Sequence, residues 1–332
     1  MSRKGFFTVL VIITLALLVI SPFIGAVDIG VAELFSGQLS DTNRFIFWQL
    51  RVPRVLSAFI SGAILAVGGM VFQSLFKNEL ATPFTLGVSA GASFGAAAFI
   101  IFGGSTALAD LNYGGILAAM LGALLSVVLV YILAAARRLT PVGMLLGGVM
   151  VNFLFSSLVM FLQYISDFSE SFSMLRWMMG SVSVSGYGEV VVLVLLAAFG
   201  LVVIFRYSRE LDLMFLGDEV AGSRGVETLA VRRNLFVFTS LMVAVVVALS
   251  GPIGFVGLIV PHIVRHFTGL RHMLIMPAAV LAGGALLVLA DTAARTLIAP
   301  AEIPVGVITA LLGAPVFLFI LWRGRGSLSS TW

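Results

Sequence analysis

Cysteine is absent from this chain of 332 residues, which excludes disulfide bonds, thiolate metal ligands and cysteine nucleophiles. Charge is also scarce, because Asp, Glu, Lys and Arg together make up 10% of the residues, against about 25% in soluble domains. The basic residues are dispersed along the chain, so nucleic-acid binding is not expected. With 60% hydrophobic residues and a mean hydropathy of +1.15, the chain cannot be a soluble globular protein. Long apolar runs, in place of alternating polarity, predict an all-α polytopic membrane protein.

Motifs for chemistry are missing as well. No GxxxxGK[ST] phosphate-binding loop is present, so the chain is not expected to hydrolyse a nucleotide by that route. His262 and His266 are four residues apart, but no further ligand is near them in the sequence and Arg265 would repel a cation, so no metal site is predicted. No nucleophile–base pair is apparent. We therefore expect no enzyme, no catalytic residue and no cofactor.

Ten apolar stretches are predicted to cross the membrane. Their approximate bounds are Phe6–Ala26, Val55–Phe76, Thr85–Phe102, Gly114–Ala136, Val142–Ile165, Val190–Phe205, Leu235–Leu249, Ile253–Val264, Leu274–Ala290 and Val305–Trp322. The first stretch is too long for the apolar part of a signal peptide, so we interpret it as a retained span. The stretches follow one another too closely for a separate soluble module, and residues 1–332 are predicted to form a single transmembrane domain.

The stretch Ile253–Val264 is short and is surrounded by helix breakers. These are Gly251, Pro252, Gly254, Gly257 and Pro261. A helix of this length covers about 18 Å, against a hydrocarbon core of about 30 Å, so the unwound segment Ser250–Phe255 must supply the remaining distance. Unwound backbone is tolerated inside a membrane only where protein covers it or where it lines a watery cavity. Broken spans are typical of translocation sites, so these five residues are expected to line a transport pathway.

The distribution of basic residues predicts that both termini are cytoplasmic. With ten spans, this orientation puts 14 of the 19 Lys and Arg residues inside, in agreement with the positive-inside rule. The inside set is Arg3, Lys4, Lys77, Arg137, Arg138, Arg206, Arg209, Arg224, Arg232, Arg233, Arg265, Arg271, Arg323 and Arg325. The outside set is Arg44, Arg51, Arg54, Arg176 and Arg295.

The longest predicted cytoplasmic connection covers residues 208–233. Gly217 and Gly225 divide it, and Asp218 with Glu219 suits the start of a second short helix. We expect two short helices whose apolar ridge faces a partner protein or lipid headgroups. The partner is favoured because the acids would oppose an anionic leaflet. The ridge would include Leu211, Leu213, Met214, Phe215, Leu216 and Val220.

Three arginines lie on the predicted outer side, where basic residues are normally few. Arg51 and Arg54 precede the second span, and Arg295 follows the ninth. One interpretation is that they snorkel towards the aqueous phase or form local ion pairs with Asp291 or Glu302. The other is that they form a docking surface for an acidic partner through bidentate carboxylate contacts. The sequence leaves these two interpretations open.

Glycines at GxxxG spacing predict close helix packing. Gly87, Gly91 and Gly95 form two such steps, and Gly143 with Gly147 forms another. Small residues at this spacing let helix backbones approach each other. Packing inside one subunit is favoured over a dimer interface.

Four segments resemble a known family. They are Leu50–Ala92, LGDEVAGSRGV at Leu216–Val226, SGPIGFVGLIVPHIVRH at Ser250–His266, and Leu289–Leu321. In this order, and nearly end to end, they are similar to the permease subunits of bacterial ABC importers for iron siderophores, haem and vitamin B12, the FecCD type. The resemblance implies a type II ABC importer permease fold, with ten-helix subunits around one central pathway in the bacterial cytoplasmic membrane.

The resemblance also implies partners: a second copy of the chain or a close paralogue, two cytoplasmic ATPase subunits and an extracytoplasmic substrate-binding protein. Membrane lipid surrounds the assembly. Arg51, Arg54 and Arg295 match the basic cluster that receives the binding protein. The residues that match the ATPase-coupling helices are Leu213, Leu216, Gly217, Asp218, Glu219, Val220, Ala221 and Gly225. The residues that match the cytoplasmic gate are Asn78, Leu80, Thr140 and Pro141, although Glu79 and Thr82 depart from the common pattern of that loop.

The sequence therefore favours an importer subunit that carries an iron chelate, haem or cobalamin while separate ATPases supply the energy. No motif fixes which of these cargoes is carried. The rival hypotheses are a secondary carrier that works alone on a bulky solute, an intramembrane enzyme and a membrane scaffold that does not transport. The scaffold would leave the broken span unexplained.

Overall fold

The computed structural model describes residues 3–25, 27–36, 39–103, 113–135, 140–182 and 186–324, most of which are helical. The helices are α1 (Arg3–Ile20), α2 (Val31–Ser36), α3 (Asp41–Phe45), α4 (Val52–Phe76), α5 (Val88–Phe102), α6 (Tyr113–Ala135), α7 (Pro141–Ile165), α8 (Phe168–Met178), α9 (Tyr187–Arg206), α10 (Ser208–Leu216), α11 (Asp218–Ser223), α12 (Thr228–Ser250), α13 (Val256–Thr268), α14 (His272–Thr296) and α15 (Val305–Gly324). A 3₁₀ turn at Ser21–Phe23 follows α1, and a π-helical turn at Ile46–Arg51 joins α3 to α4.

Ten of these helices correspond to the ten predicted crossings. Within the described residues, seven helical segments are long and apolar enough to span a membrane, namely those containing α1, α4, α6, α7, α9, α12 and α14. The shorter helices α5, α13 and α15 occupy the other three predicted positions. The predicted all-α polytopic fold is therefore confirmed for the described part of the chain.

Three helix starts and three extra helices differ from the prediction. Helix α12 begins at Thr228, inside the predicted loop of residues 208–233. Helix α5 begins at Val88, after Gly87 in the left-handed conformation, and α13 begins at Val256, after Phe255 in the same conformation. Helices α2, α3 and α8 lie between crossings and were not predicted. The start of α8 has a sequence signal, because Asp167 and Glu170 form a reciprocal capping box. Arg137, Arg138 and Arg325 of the predicted inside set lie outside the described residues.

Helix α4 occupies the centre of the fold. In its most apolar window, 83% of the residues are buried inside the protein. A Cβ atom added to Gly62 would overlap the Gly283 carbonyl of α14, and one added to Gly69 would overlap the Gly257 carbonyl of α13. Glycine therefore lets the backbone of α4 contact two other helices directly.

The predicted glycine packing is found between α5 and α6. A Cβ on Gly91 would overlap the Gly122 carbonyl, and a Cβ on Gly95 would overlap the Ala118 carbonyl. These contacts lie within one subunit, as favoured from the sequence. The Gly147 position is looser, since its Cβ would be 3.5 Å from the Leu133 side chain, which is an ordinary contact.

Contacts between helix ends define two faces of the bundle. At the end that we call the α10 face, Phe6 of α1 stacks on Phe267 of α13 with ring centroids 4.7 Å apart. At the opposite end, the Arg54 face, Arg54 of α4 forms an ion pair of 3.0 Å with Asp291 of α14. The ends of α1, α4, α13 and α14 thus alternate as the topology requires. That the α10 face is cytoplasmic stays a prediction.

Candidate functional site

The broken crossing between α12 and α13 is unwound over Gly251–Phe255. Gly251 has φ of +66° and Phe255 has φ of +67°. Positive φ is ordinary for glycine but uncommon for a residue with a side chain, and such residues are concentrated at functional sites. The structure therefore places the five sequence-predicted breakers Gly251, Pro252, Gly254, Gly257 and Pro261 in the unwound segment and the first turns of α13.

Protein backbone covers the unwound segment on one side. The Ser181 amide donates a hydrogen bond of 2.7 Å to the Ser250 carbonyl, and the Gly306 amide donates one of 3.3 Å to the Gly180 carbonyl. A Cβ on Gly180 or on Gly306 would meet the Pro252 carbonyl. The chain after α8 and the start of α15 therefore pack directly on the break, which satisfies part of its backbone without water.

Pro261 creates a second gap in hydrogen bonding, inside α13. Proline has no amide hydrogen, so the carbonyl four residues earlier, that of Gly257, loses its helical donor. The Gln73 side chain of α4 fills this gap, because its Nε2 lies 3.3 Å from the Gly257 oxygen and 3.2 Å from the Leu258 oxygen. Gln73 is buried. A side chain from another helix thus completes the first turn of α13.

A second irregular segment, residues 77–87, faces the first. Gly87 packs on Val151 of α7, ten residues from the start of that helix at Pro141, so the segment dips about 15 Å into the bundle. Pro83 reaches α4, where its Cγ would lie 3.6 Å from a Cβ on Gly68. Sequence reasoning missed this second break, although Pro83 and Gly87 within an apolar stretch are its signal.

The two irregular segments enclose a cavity of about 250 Å³ with Leu65 of α4. Its wall is mainly apolar, with two threonine hydroxyls. From the first break it includes Ile253, Gly254, Phe255, Gly257 and Leu258, and from the second Thr82, Pro83, Phe84 and Thr85. Two discontinuous crossings that meet beside a cavity are the arrangement in which carrier sites are found.

The predicted gate residues lie at helix ends. Asn78 follows α4, and its side-chain Oδ1 accepts a hydrogen bond of 2.9 Å from the Leu80 amide. Leu80 is half exposed, at 50%. Thr140 caps α7, since its hydroxyl accepts a hydrogen bond of 3.2 Å from the Gly143 amide, and Pro141 takes the first helical position, which favours proline. Their role as a gate stays a prediction.

The first part of the predicted loop 208–233 folds as two short helices, α10 and α11, separated by Gly217, whereas residues from Thr228 onward belong to α12. Gly217 has φ of +142°, which L side chains rarely adopt, and Asp218 with Glu219 forms the first turn of α11. The apolar residues divide between two sides. Leu211, Met214 and Ala221 are buried against the bundle, Leu213 and Phe215 are half-buried, and Leu216 and Val220 are exposed. The exposed pair, Leu216 and Val220, lies on the two sides of Gly217 in the sequence.

Asp218 joins this loop to two crossings. Its carboxylate accepts a hydrogen bond of 2.7 Å from Arg232 of α12 and forms an ion pair of 3.3 Å with Lys77, the residue before Asn78. Burial alone would raise the pKa of Asp218, but the hydrogen bonds and charges of Arg232 and Lys77 hold it below its ordinary value. The start of α11 is therefore tied by charge to the predicted gate loop.

Asp212 makes the second connection from the loop. Its Oδ1 accepts hydrogen bonds from the His272 backbone amide at 2.8 Å and from the His272 ring Nδ1 at 2.6 Å. Partial burial would raise the pKa of Asp212, but these hydrogen bonds and the nearby positive charge of Arg271 hold it below its ordinary value. Helix α10 is thus fixed to the first residue of α14.

His262 has a carboxylate neighbour, Glu79, that is far from it in the sequence and was not predicted. Its Nδ1 lies 3.4 Å from a Glu79 oxygen. The hydrogen bond to the His262 ring holds the pKa of Glu79 below its ordinary value, against the opposing effect of burial. Among the residues searched in the described part of the chain, no group of three or more His, Cys, Asp or Glu is placed to hold a metal ion.

The three outer arginines are engaged within the chain. Arg51 is buried and donates to the carbonyls of Pro22, Phe23 and Val27. Arg54 forms a bidentate contact with Asp291 and an ion pair of 2.9 Å with Glu302.

Arg295 is buried as well. It donates to the Ile24 carbonyl and the Ser21 hydroxyl, and its Nε lies 3.1 Å from Asp291. The contacts of Arg54 and Arg295 with Asp291 and Glu302 are the local ion pairs that the sequence left open as one alternative, whereas Arg51 contacts backbone carbonyls. Of the three guanidinium groups, that of Arg54 is paired with an exposed carboxylate, Glu302.

Comparisons with known proteins give a consistent result. The model of the FecCD transport family matches residues 12–323. The hemin transport system permease protein HmuU of Yersinia pestis is 35% identical over 97% of this chain and 95% of its own length. The vitamin B12 import system permease protein BtuC of Klebsiella pneumoniae is 37% identical, over 87% of this chain and 86% of its own length. An inward-facing structure of a metal-chelate type ABC transporter has 33% identity and a TM-score of 0.85, and the match covers 96% of this chain and 99% of that one.

Proposed function

Because the chain belongs to the FecCD transport family, we propose that it forms the membrane pathway of an ATP-driven importer. It is an ABC importer permease of the group that takes up iron chelates, haem or vitamin B12. The observation that carries the proposal is the pair of broken crossings that enclose a cavity beside α4. A family of transport permeases also gives no reason to assign an enzymatic reaction to this chain.

Alternating access is the proposed mechanism. The exposed residues Leu216 and Val220 would receive the ATPase, and closure of two ATPases on ATP would move α10 and α11. That movement reaches the predicted gate loop through Asp218 and Lys77, which form an ion pair at its start. The free energies of the outward-open and inward-open arrangements need differ by only a few kcal/mol. Each partner then shifts the equilibrium towards the arrangement that it binds more tightly.

The complete importer would contain two copies of this chain, or this chain and a close paralogue. Two ATPases would bind at the α10 face in the cytoplasm, and a substrate-binding protein would dock at the Arg54 face outside a bacterial cytoplasmic membrane. The whole of residues 1–332 would act as one transmembrane domain, with residues 208–233 as its coupling loop. The mainly apolar wall of the cavity favours a cargo with apolar surface over a small hydrophilic ion.

Transport by the reconstituted complex tests this function. Vesicles containing the chain, its ATPases and its binding protein are expected to accumulate at least one of hemin, a ferric hydroxamate, a ferric catecholate and cobalamin when ATP is present. Vesicles that lack the ATPases should accumulate none. Uptake by the chain alone would establish a secondary carrier instead, and no uptake of any of the four would refute the proposal.

Docking of the binding protein is best tested at Arg54. The substitution Arg54→Glu is expected to weaken docking at least about tenfold, since a like charge facing an acidic partner is unfavourable by more than 1 kcal/mol. The effect should be larger at low salt, where charges are less screened. Binding of the purified binding protein to the complex in vesicles measures it.

Glu302→Gln is the matched control for this experiment. It removes the exposed carboxylate that competes for Arg54, so docking should be preserved or strengthened. Arg51 is unsuitable as a test, because it is buried and holds the chain after α1. Equal docking by wild type and Arg54→Glu would leave the arginines with an intrachain role only.

A further inference from the structure

A continuous chain of side-chain hydrogen bonds runs from α10 to the first turn of α13. It begins at Asp212, which is held by His272 at the start of α14. The other ring nitrogen of His272, Nε2, lies 2.6 Å from the Ser74 hydroxyl of α4. The ring therefore bridges the coupling loop and the central helix. Because a carboxylate only accepts hydrogen bonds, His272 must donate from Nδ1.

The chain continues across α4 to α13. Arg265 of α13 donates to the Ser74 hydroxyl at 3.3 Å and to the Gln73 oxygen Oε1 at 2.7 Å. The Gln73 amide nitrogen then donates to the carbonyls of Gly257 and Leu258, the first of which has no helical donor because of Pro261. The last link is thus in the wall of the cavity between the two breaks.

Burial makes the links of this chain depend on one another. Gln73, Ser74 and His272 are each at most 2% exposed, so water cannot replace a lost partner. A buried donor or acceptor without a partner is unfavourable, whereas a complete network is stable. If α10 moves away from α14 with Asp212, the His272 ring loses its acceptor and its contact with Ser74 is no longer fixed. Arg265 and Gln73 then lose the position that completes the first turn of α13.

We propose that Asp212, His272, Ser74, Arg265 and Gln73 are positioning residues that transmit the movement of α10 to the broken crossing. This proposal rests on the proposed function and adds a route by which the ATPases control the cavity. The ion pair of Asp218 with Lys77 reaches the gate loop, and the buried hydrogen-bond chain reaches the cavity wall. The two connections start from neighbouring short helices; one ends on the irregular segment 77–87, and the other ends on the first turn of α13, directly after the unwound segment.

The test is the number of cargo molecules imported per ATP hydrolysed. Ser74→Ala removes the middle link, and we expect it to lower this ratio about tenfold, within the range of measured coupling between sites. ATP hydrolysis and the amount of complex in the membrane should stay near wild type. Ser61→Ala is the matched control, because Ser61 is also buried on α4 and its hydroxyl has no hydrogen-bond partner among the described residues. Its ratio should equal that of wild type.

A double-mutant cycle between the two ends gives a second readout, in case Ser74→Ala lowers the amount of complex. Asp212→Ala and Gln73→Met remove the first and last links, and the two residues are connected through His272, Ser74 and Arg265. The number of cargo molecules that the double variant imports per ATP should be no lower than that of the more impaired single variant. The proposal would be overturned if the losses of the two single variants multiplied in the double variant, as they do for independent sites. It would also be overturned if Ser74→Ala imported cargo at the wild-type ratio per ATP. If the wild-type complex imports none of the four cargoes, it is the proposed function that fails.

Discussion

Gly69→Ala is expected to abolish most uptake and to destabilise the folded protein. The added Cβ would overlap the carbonyl of Gly257, which is backbone and cannot rotate away. Helix α13 would have to move off α4, and the hydrogen bond from Gln73 to that same carbonyl would be lost. Overpacking of this kind is unfavourable by about 1–3 kcal/mol, so uptake should fall about tenfold or more. The stability is measured by heating the purified protein and determining the fraction that still elutes as a single species.

Gly68→Ala, one residue earlier on the same helix, is the matched control. Its Cβ would meet only side-chain atoms, the nearest being the Val243 Cγ2 at 3.0 Å. Alanine also favours the helix over glycine by about 1 kcal/mol, which offsets a small shift of Val243. Gly68→Ala should therefore keep both stability and uptake close to wild type. Equal behaviour of the two variants would show that α4 and α13 do not need their direct backbone contact.

Sequence patterns predicted the parts of this site that are local. Breakers between Gly251 and Pro261 indicated the unwound crossing, and Gly217 before Asp218 indicated the division of α10 from α11. Both predictions depend on backbone preferences that act within a few residues. Seven of the crossings were predictable for a similar reason, since an apolar run of about 20 residues suffices to identify them.

Long-range partners could not be predicted from the same patterns. Gln73 is 184 residues from Gly257, and Ser74 is 198 residues from His272. No periodicity relates them, because their contact follows from how α4 packs between α13 and α14. The signal that was available is a buried polar pair, Gln73 and Ser74, in the last turn of an apolar helix, where buried polar groups require partners.

The outer arginines illustrate the same division. Their number on the Arg54 face was visible in the sequence, but the acceptors of Arg51 are backbone carbonyls of the chain after α1. Every residue carries a backbone carbonyl, so a pattern of residue types cannot predict which carbonyl accepts the hydrogen bond. The structure therefore separates Arg54, which pairs with the exposed Glu302 as well as with the buried Asp291, from two buried arginines whose contacts are with groups of the fold.

Gly217→Val is expected to lower uptake at least about tenfold while leaving the protein in the membrane. Gly217 has φ of +142°, and holding an L residue in such a conformation is unfavourable by about 1–3 kcal/mol. The loop would relax by turning α11 relative to α10, which displaces Asp218 from Lys77 and Arg232 and changes the exposed surface of Leu216 and Val220. Because both short helices lie beyond the crossings, the bundle itself should remain folded. ATP hydrolysis by the assembled complex should continue with little import.

Gly222→Ala separates this conformational effect from a simple change of side chain in the same loop. Gly222 lies inside α11 with nothing within 4 Å of an added Cβ, and its φ is not positive. Alanine there should favour the helix and leave import per ATP unchanged. Import at the wild-type level by Gly217→Val would mean that the angle between α10 and α11 does not matter for coupling. A loss in both variants would instead assign the effect to the exposed surface of α11, since only Gly217→Val changes the backbone.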